Sequence, residues 1–548
     1  MSDLVVEAGL PVGLVGASDQ DRAARRGTRT PWLGGVIGIT ALLVVWDLLA
    51  LYVFQGKHIM PTPTGVLRGL WDNRTLLQEN AGITIAEAAQ GWLWGNALAI
   101  ALALVFIISP PVEAALLRLA IASYCMPIIA VAPILNIVFS GDKPKVVLAA
   151  MSVFFTTLVG MSAGLRSADP VSLDVIRAYG GSSWTAMVKV RIRAALPNLF
   201  AALRIAAPAA VLGAIIGEYL GGTHGIGVAM INAEQSLDVT RVWTLALFAA
   251  GLAGVGYAAT GVVARLATPW AKGQTASVGG TAGGGRSRGR TYRAARSVTF
   301  LAGSIGVTLL CWVGFVKLFH LNSYFAKTPA DVWQYLTQGS AASGNRAELW
   351  HAMAATLGDA SLGYVFGTVL AVMAAMAMVS YRTVEAAFMP VAVVLRSVPL
   401  IAMTPLIALA LGRGLVSVTV IAGIVTFFPT LVNVVHGLRS ASHDSILLMR
   451  AFDASELTTL FKVRVPSALP SLFSSARIAA PGALLGAVLA EWLSTGKGLG
   501  YLMLEASTES RFDTLWSGVV LITVASVVIY AIVGLIEIPV LKRFGSAG

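Results

Sequence analysis

The sequence predicts an all-α polytopic membrane protein built as a tandem repeat of two six-helix units. Of the 548 residues, 56% are hydrophobic and only 12% are charged, with a mean hydropathy of +0.77. A water-soluble domain of this size cannot bury so much apolar surface. Twelve apolar runs are long enough to cross a bilayer as helices. The segment from Arg177 to Glu218 recurs 273 residues later, from Arg450 to Glu491, and such a repeat indicates the architecture directly.

The apolar runs divide equally between two halves of the chain. In the first half they occupy residues 33–54, 84–108, 118–139, 146–165, 200–221 and 242–266. In the second half they occupy residues 298–319, 355–379, 387–411, 415–437, 473–493 and 517–541. Only the sequences GDKPK and GRG interrupt 118–165 and 387–437, so ten or eleven complete spans remain possible. About twelve helices in a 6+6 arrangement are predicted.

Four segments follow from this pattern. They are a polar N-terminal tail at 1–31, a first unit at 32–271, a linker at 272–297 rich in Gly, Ser and Arg, and a second unit at 298–548. The linker composition is typical of a flexible, solvated connector. Binding of its arginines to anionic lipid headgroups is an alternative. The first apolar run begins too late for a cleaved signal peptide.

The number of spans in each half predicts the symmetry and the orientation. Six is an even number, so both halves enter the bilayer in the same direction, and a pathway is expected between two parallel repeats. Most Lys and Arg residues fall in the loops that lie on the side of the termini. This asymmetry predicts cytoplasmic termini in a cell (plasma or inner) membrane, and it explains the net charge of +12 without nucleic acid.

A long polar loop between the fourth and fifth runs is the most informative repeated element. It covers Arg166–Leu199 and again Arg439–Leu472, and each copy ends in a basic stretch, VRIRAALPNLF or VRVPSALPSLF. We interpret Pro197 and Pro470, together with Arg204 and Arg477, as punctuation between the loops and the apolar helices. Connectors of this length usually have structure and function of their own.

These loops resemble the EAA loop of permease subunits of ABC importers, in particular those of the aliphatic sulfonate, taurine and nitrate group. The resemblance covers most of both halves and implies a type I importer permease with two units fused in one chain. It also implies that a short helix in each loop inserts into a groove of a cytoplasmic ABC ATPase, with two such ATPases per chain, and that a solute-binding protein docks on the outer face. ATP and Mg²⁺ would bind the ATPases, and no cofactor is expected in this chain.

Twelve residues carry the coupling role that the resemblance implies. They are Arg177, Ala178, Tyr179, Gly180, Gly181 and Ser182 in the first copy, and Arg450, Ala451, Phe452, Asp453, Ala454 and Ser455 in the second. Asp453 replaces the family's glycine at a position where we expect positive φ, which Asp tolerates better than most residues. The two docking sites should therefore be unequal. A basic amphipathic loop lying on the inner leaflet is the alternative interpretation.

Repeated prolines and acids identify candidates for the solute pathway and its gate. Prolines inside a span kink the helix and are tolerated where a cavity is lined, and ionisable residues within spans are functional candidates. A structural role for the two glutamates, each followed by a glycine-rich turn, is the alternative. The candidates are Pro127, Pro133, Asn136, Pro399, Thr404, Pro405, Glu218 and Glu491.

Several motifs are missing from the sequence, and this limits the possible functions. It contains no G-x-x-x-x-G-K-[ST], HExxH or CxxC, and its two cysteines lie in apolar runs. We therefore expect a non-catalytic subunit without a metal site. An ion-coupled secondary transporter with two parallel halves is the runner-up, although acids in the middle of spans are few, with Glu87 and Asp359 at the start of the second span of each half. The resemblance implies a small polar solute, and one with an anionic group, such as a sulfonate, taurine or nitrate, is a candidate.

Overall fold

The computed structural model describes residues 31–53, 60–271, 290–381, 384–385 and 400–544, and every regular element in these ranges is a helix. The first half contains α1 (Pro31–Leu48, continued by a π turn over Leu49–Val53), α2 (Pro63–Asp72), α3 (Arg74–Ile108), α4 (Pro110–Cys125), α5 (Ile128–Val138), α6 (Lys143–Arg166), α7 (Pro170–Ala178), α8 (Ser183–Ala186, with a π turn over Met187–Arg191), α9 (Ile192–Gly221), α10 (Ile226–Gln235) and α11 (Val239–Ala267).

The second half repeats this order. It contains α12 (Arg290–Leu318), α13 (Pro329–Thr337), α14 (Ala342–Ser380), α15 (Leu400–Leu411), α16 (Leu415–Arg439), α17 (His443–Ala451), α18 (Glu456–Thr459, with a π turn over Leu460–Arg464), α19 (Val465–Ala490, with a π turn over Glu491–Thr495), α20 (Gly498–Thr508) and α21 (Phe512–Phe544). Each described element from α12 onward has a counterpart in the first half, so the duplication seen in the sequence is a duplication of structure.

Eight helices of the described chain are long and apolar enough to cross a membrane. They are Arg74–Ile108, Lys143–Arg166, Ser183–Gly221, Val239–Ala267, Ala342–Ser380, Leu415–Arg439, Glu456–Leu493 and Phe512–Leu541, four in each half. Shorter apolar helices over Ile39–Tyr52 and Ile305–Leu318 lie in the predicted first and seventh runs. The all-α polytopic fold with a tandem repeat is thus confirmed.

The predicted third run, 118–139, is not one straight span. Pro110–Cys125 and Ile128–Asn136 meet at 93°, and counting this bent pair as one span raises the number from eight to nine. Met126, between the two helices, is extended with φ −75° and ψ 123°, because a proline disfavours the helical conformation of the residue before it. In the second half α15 is the described part of the corresponding run, and the predicted Pro399 lies outside the described residues.

The predicted linker is also longer than the structure allows. Helix α12 begins at Arg290, inside the segment 272–297. The residues from Arg290 to Ser297 include several Arg and Ala, which are good helix formers, so the helix extends beyond its apolar part. The rest of the linker, 272–289, and nearly all of the tail, 1–30, lie outside the described residues.

The two prolines expected ahead of the fifth runs lie inside helices instead. Pro197 is within α9 and Pro470 is within α19, and one continuous helical path runs over Ser183–Gly221 and over Glu456–Leu493. Each proline removes a single backbone hydrogen bond, which a long helix can lose without ending. The second part of each predicted loop is therefore helical, and only the first part projects from the spans.

The two halves meet along the proline-containing third runs. Helix α4 packs on α12 and α21, α5 packs on α19 and α20, and α15 packs on α10 and α11. The ring of Phe139 lies edge-on to Phe315 and Phe319 of the other half, with centroids 6.2 and 5.7 Å away. Buried residues of both halves, among them Ile134 and Ala487, belong to one apolar core. The repeats therefore form a single body.

Candidate functional site

The short helix α7 and its copy α17 stand away from the bundle. No residue of either helix is buried. Asp169 begins α7 by accepting hydrogen bonds from the N–H groups of Val171 and Ser172, and the hydrogen bonds from the Ser172 side chain and backbone hold the pKa of Asp169 below its ordinary value. Ser442 begins α17 by accepting from the N–H of Ser445. Hydrogen bonds from the capping residues therefore fix where both helices begin, and neither helix buries a residue in the core.

The turn after each short helix has the same backbone in both copies. Gly181 N–H donates to Ile176 O at 2.8 Å, and Ala454 N–H donates to Met449 O at 3.0 Å. The residue before each donor has positive φ, +71° at Gly180 and +52° at Asp453. This is the Schellman arrangement, in which a left-handed residue ends the helix. The positive φ expected at Asp453 is confirmed.

We call each short helix together with the following turn and α8 or α18 an elbow, at residues 170–186 and 443–459. Both elbows expose apolar and aromatic side chains next to charged ones. Tyr179 is 89% exposed and Phe452 is 78% exposed, and the other exposed large apolar residues are Val171, Val175, Trp184, Leu447, Leu448 and Leu457. Apolar groups clustered on a projecting surface are typical of a protein interface.

The rest of each coupling segment forms the ends of these helices. Arg177 and Ala178 end α7, and the Arg177 guanidinium lies 3.0 Å from Asp174. Arg450 and Ala451 end α17. Ser182 and Ser455 then begin α8 and α18 by accepting from Thr185 N–H and Thr458 N–H. Each elbow is thus a helix, a left-handed turn and the start of a spanning helix.

The two glutamates predicted as gate residues are fully buried. Glu218 accepts from Gly227 N–H at 2.7 Å and from the Thr84 hydroxyl at 2.6 Å. Glu491 accepts from Gly500 N–H at 2.8 Å and from the Thr356 hydroxyl at 2.9 Å. In each copy the carboxylate caps the N-terminus of the next short helix, α10 or α20, where backbone N–H groups favour a negative charge. These contacts favour the structural role over a gate open to solute.

The threonines that complete these caps were not singled out in the sequence. Thr84 also accepts from Ile226 N–H at 3.0 Å, and Thr356 accepts from Leu499 N–H at 2.8 Å. Both are 0% exposed. A search for polar residues that recur at the repeat spacing within spans would have found them, since 84 and 356 are 272 positions apart.

A buried ion pair distinguishes the first copy from the second. Lys145 Nζ lies 3.0 Å from Glu87 Oε1 and 2.7 Å from Asp142 Oδ1, and the Lys145 and Glu87 side chains are both buried. Val418 occupies the position of Lys145 in the second copy, and it is buried among apolar residues. Buried ion pairs hold groups in one arrangement and seldom add stability over apolar residues.

The remaining pathway candidates lie where the halves meet. Pro127 begins α5 and Pro133 lies inside it, and Asn136 Nδ2 donates to Leu220 O of α9 at 3.1 Å. In the other half, Pro405 lies inside α15, and the buried Thr404 donates to Leu400 O within the same helix. A lining role for these residues stays a prediction.

Arg204 and Arg477 lie within the fifth spans and stack on tyrosines of the sixth. The guanidinium of Arg204 is 4.0 Å from the Tyr257 ring centroid, and that of Arg477 is 4.6 Å from the Tyr530 centroid. Neither arginine belongs to the punctuation of a loop, because each lies more than a turn inside a continuous helix. The stack is a cation–π contact that supports a charge in apolar surroundings.

Comparison with known proteins agrees with this arrangement. The family model described as binding-protein-dependent transport system inner membrane component matches residues 95–272 and again 367–538, together more than half of the chain.

Individual relatives each match less than half of the chain. A probable ABC transporter permease protein of Haemophilus influenzae is 31% identical over 213 residues, 39% of this chain and 86% of the relative. The riboflavin transport system permease protein RibX of Chloroflexus aurantiacus is 32% identical over 42% of this chain and 84% of its own length. The taurine transport system permease protein TauC of Escherichia coli is 26% identical over the same shares. One such relative corresponds to one repeat.

Proposed function

Because this chain belongs to the family of binding-protein-dependent transport system inner membrane components, the permeases of ABC transporters, we propose that its two units form the complete translocation pathway of an ATP-driven importer. As an ABC permease it is a non-catalytic, multi-pass membrane subunit that works with ATPase and substrate-binding partners. The proposal adds three points. Transport is inward, one chain binds two ATPase subunits, and both termini lie in the cytoplasm.

The duplicated elbow is the observation that carries the proposal. Each elbow exposes an aromatic residue, Tyr179 or Phe452, directly after a short helix that has no buried residue. Each elbow also runs into a spanning helix without a break, over Ser183–Gly221 and Glu456–Leu493. A partner that binds the exposed residues can therefore move the whole helix as a rigid body. Such rigid-body movement would switch the pathway between openings on the two sides of the membrane.

ATP and Mg²⁺ belong to the partner ATPases in this proposal. Closure of the two ATPases on ATP would bring the elbows together, and the long helices would transmit this movement to the region where the halves meet. A solute-binding protein would deliver the solute on the opposite face. The solute is proposed to be small and polar, and a solute with an anionic group, such as a sulfonate, taurine or nitrate, fits the relatives' names.

The described residues offer little support for ion coupling. An ion-coupled transporter needs acids within spans that can bind and release the ion. Glu87 is paired with Lys145, whereas Glu218 and Glu491 are occupied as helix caps. Asp359 in the second span of its half and Asp47 in the first apolar helix are left as half-buried candidates.

Charge placed on the exposed elbow aromatics tests the proposal. Tyr179→Asp and Phe452→Asp should each lower the number of ATPase subunits that co-purify with one chain from two to one, and each should abolish the stimulation of ATP hydrolysis in proteoliposomes. Both side chains are exposed, so the variants should insert and fold normally. Tyr381→Asp is the matched control, because Tyr381 is an exposed aromatic at the end of α14, outside the elbows.

Two results would contradict the proposal. One is unchanged ATPase binding in both elbow variants. The other is uptake that continues without ATP and disappears when an ionophore collapses the ion gradient, which would favour the secondary transporter.

A further inference from the structure

The repeated arginine–tyrosine stack differs between the two copies in its charge balance. Arg477 Nη1 lies 3.2 Å from Oε2 of Glu537, whose side chain is nearly buried. The residue at the corresponding position of the first copy is Ala264. Arg204 contacts the Tyr257 ring. Among the residues that the structure describes, no carboxylate lies within ion-pair distance of the Arg204 guanidinium. The first copy therefore holds an uncompensated guanidinium within a spanning helix, which is costly unless a counter-charge is supplied.

The surroundings of Arg204 lie toward the bilayer near the end of α11. Val262, Val263 and Leu266, all on the last turns of α11, are exposed large apolar residues. Trp270, just beyond the helix, is exposed as well, and tryptophans of this kind are typical of the membrane–water interface. Arginines at this depth extend toward the interface, where their charge meets headgroups.

A second arginine lies one turn away. Tyr257, Gly261 and Arg265 follow one another at four-residue spacing on one face of α11. The Arg204 guanidinium lies against Gly261, because a Cβ built there would be 3.1 Å from Arg204 Nε. Arg265 is exposed in the last turn of the helix. Arg265 therefore follows, by one helical turn, the glycine against which the Arg204 guanidinium lies. The second copy has Ile538 in place of Arg265.

We propose that Arg204 and Arg265 bind the phosphate of an anionic phospholipid in the leaflet where α11 ends. Guanidinium groups match phosphate oxygens in paired hydrogen bonds, and the exposed valines and leucine beside them accommodate acyl chains. The second copy supplies its own anion, Glu537, and does not bind lipid at this place. The protein therefore carries one such site, in its first unit only, and this site is independent of ATPase coupling.

The site is tested by placing a glutamate in the first copy at the position that Glu537 holds in the second. The full-length protein is purified in detergent and titrated with phosphatidylglycerol or phosphatidylcholine, and bound lipid is counted by native mass spectrometry. The wild type should bind one phosphatidylglycerol in preference to phosphatidylcholine. Ala264→Glu should weaken this binding at least about fivefold, because it gives Arg204 the partner that Arg477 already has. Its melting temperature without lipid should not fall, which separates lost lipid from lost fold.

Two further variants make the result unambiguous. Arg265→Gln changes an exposed residue and should weaken phosphatidylglycerol binding by a similar factor. Arg477→Gln, the matched control, should leave lipid binding unchanged. Equal binding by the wild type, Ala264→Glu and Arg265→Gln would overturn the proposal. Equal binding of phosphatidylcholine, or competition by millimolar inorganic phosphate that fully displaces the lipid, would also overturn it, since the site would then not select an anionic lipid.

Discussion

The carboxylate of Glu218 lies so close to Gly225 that no side chain fits between them. A Cβ built on Gly225 would be 2.2 Å from the Glu218 carboxyl carbon, and Gly225 has φ +113°. Gly498 has the same relationship to Glu491, at 2.2 Å and with φ +89°. Each turn is therefore shaped by a buried carboxylate, and this geometry occurs twice in one chain.

Gly498→Ala should destabilise the folded protein by several kcal/mol, on the order of 1 to 3 from the backbone alone, with a further cost from displacing Glu491. The melting temperature in detergent measures the effect. Gly496→Ala is the matched control, because Gly496 has φ +66° in the same turn but no atom within 4 Å of its built Cβ. The control should show the backbone cost only. Equal losses in both variants would mean that the carboxylate does not constrain the turn.

Lys145→Met should destabilise the protein by about 3 to 5 kcal/mol, because it leaves the buried Glu87 without its counter-charge. The double variant Lys145→Met with Glu87→Gln should recover most of that loss, since the second copy is already apolar at this position, with Val418. A double-mutant cycle based on melting temperatures measures the interaction between Lys145 and Glu87. Additive losses would show that the pair does not interact.

Stability should depend on pH through Glu234 of α10, a helix outside the eight spans. Burial raises the pKa of Glu234 from 4.5 to about 7, although a hydrogen bond from the Tyr219 hydroxyl opposes this. The folded protein therefore holds the proton more tightly than the unfolded chain does. The contribution is favourable at pH values below about 4.5 and is lost as the pH rises to about 7.

Glu234→Gln should flatten this part of the stability profile. Melting temperatures of wild type and variant between pH 5 and pH 8 should converge at the acidic end and diverge at the alkaline end, where the variant is the more stable. Ser507 occupies the corresponding place in the second copy, so that copy provides no equivalent group. A wild-type profile parallel to that of the variant would exclude Glu234 as the titrating group.

The sequence predicted those features that depend on local patterns or on the repeat. The positive φ at Asp453 followed from its alignment with Gly180, because one backbone serves both copies. The long spans followed from hydropathy. Features that depend on contacts between distant helices did not follow: the hydroxyl of Thr84 is 134 positions from its partner Glu218, and the pairing of Lys145 with Glu87 needs two helices side by side.

The prolines of this chain show that the residue type alone does not predict where a helix ends. Pro127 bends the chain because the residue before it adopts an extended conformation. Pro197 and Pro470, expected to mark helix starts, lie inside helices that continue past them. The residue type alone therefore does not decide between a break and a kink, since the packing around the helix determines whether the chain can continue.

The substitutions that separate the copies, Lys145 against Val418 and Ala264 against Glu537, have a consequence for how such a molecule can evolve. In a symmetric homodimer every mutation appears twice, so a change that helps one side must be tolerated on the other. Joining the two units in a single polypeptide removes that constraint and fixes their ratio at one to one. Each unit is then able to specialise, while assembly with a wrong copy is avoided by covalent connection.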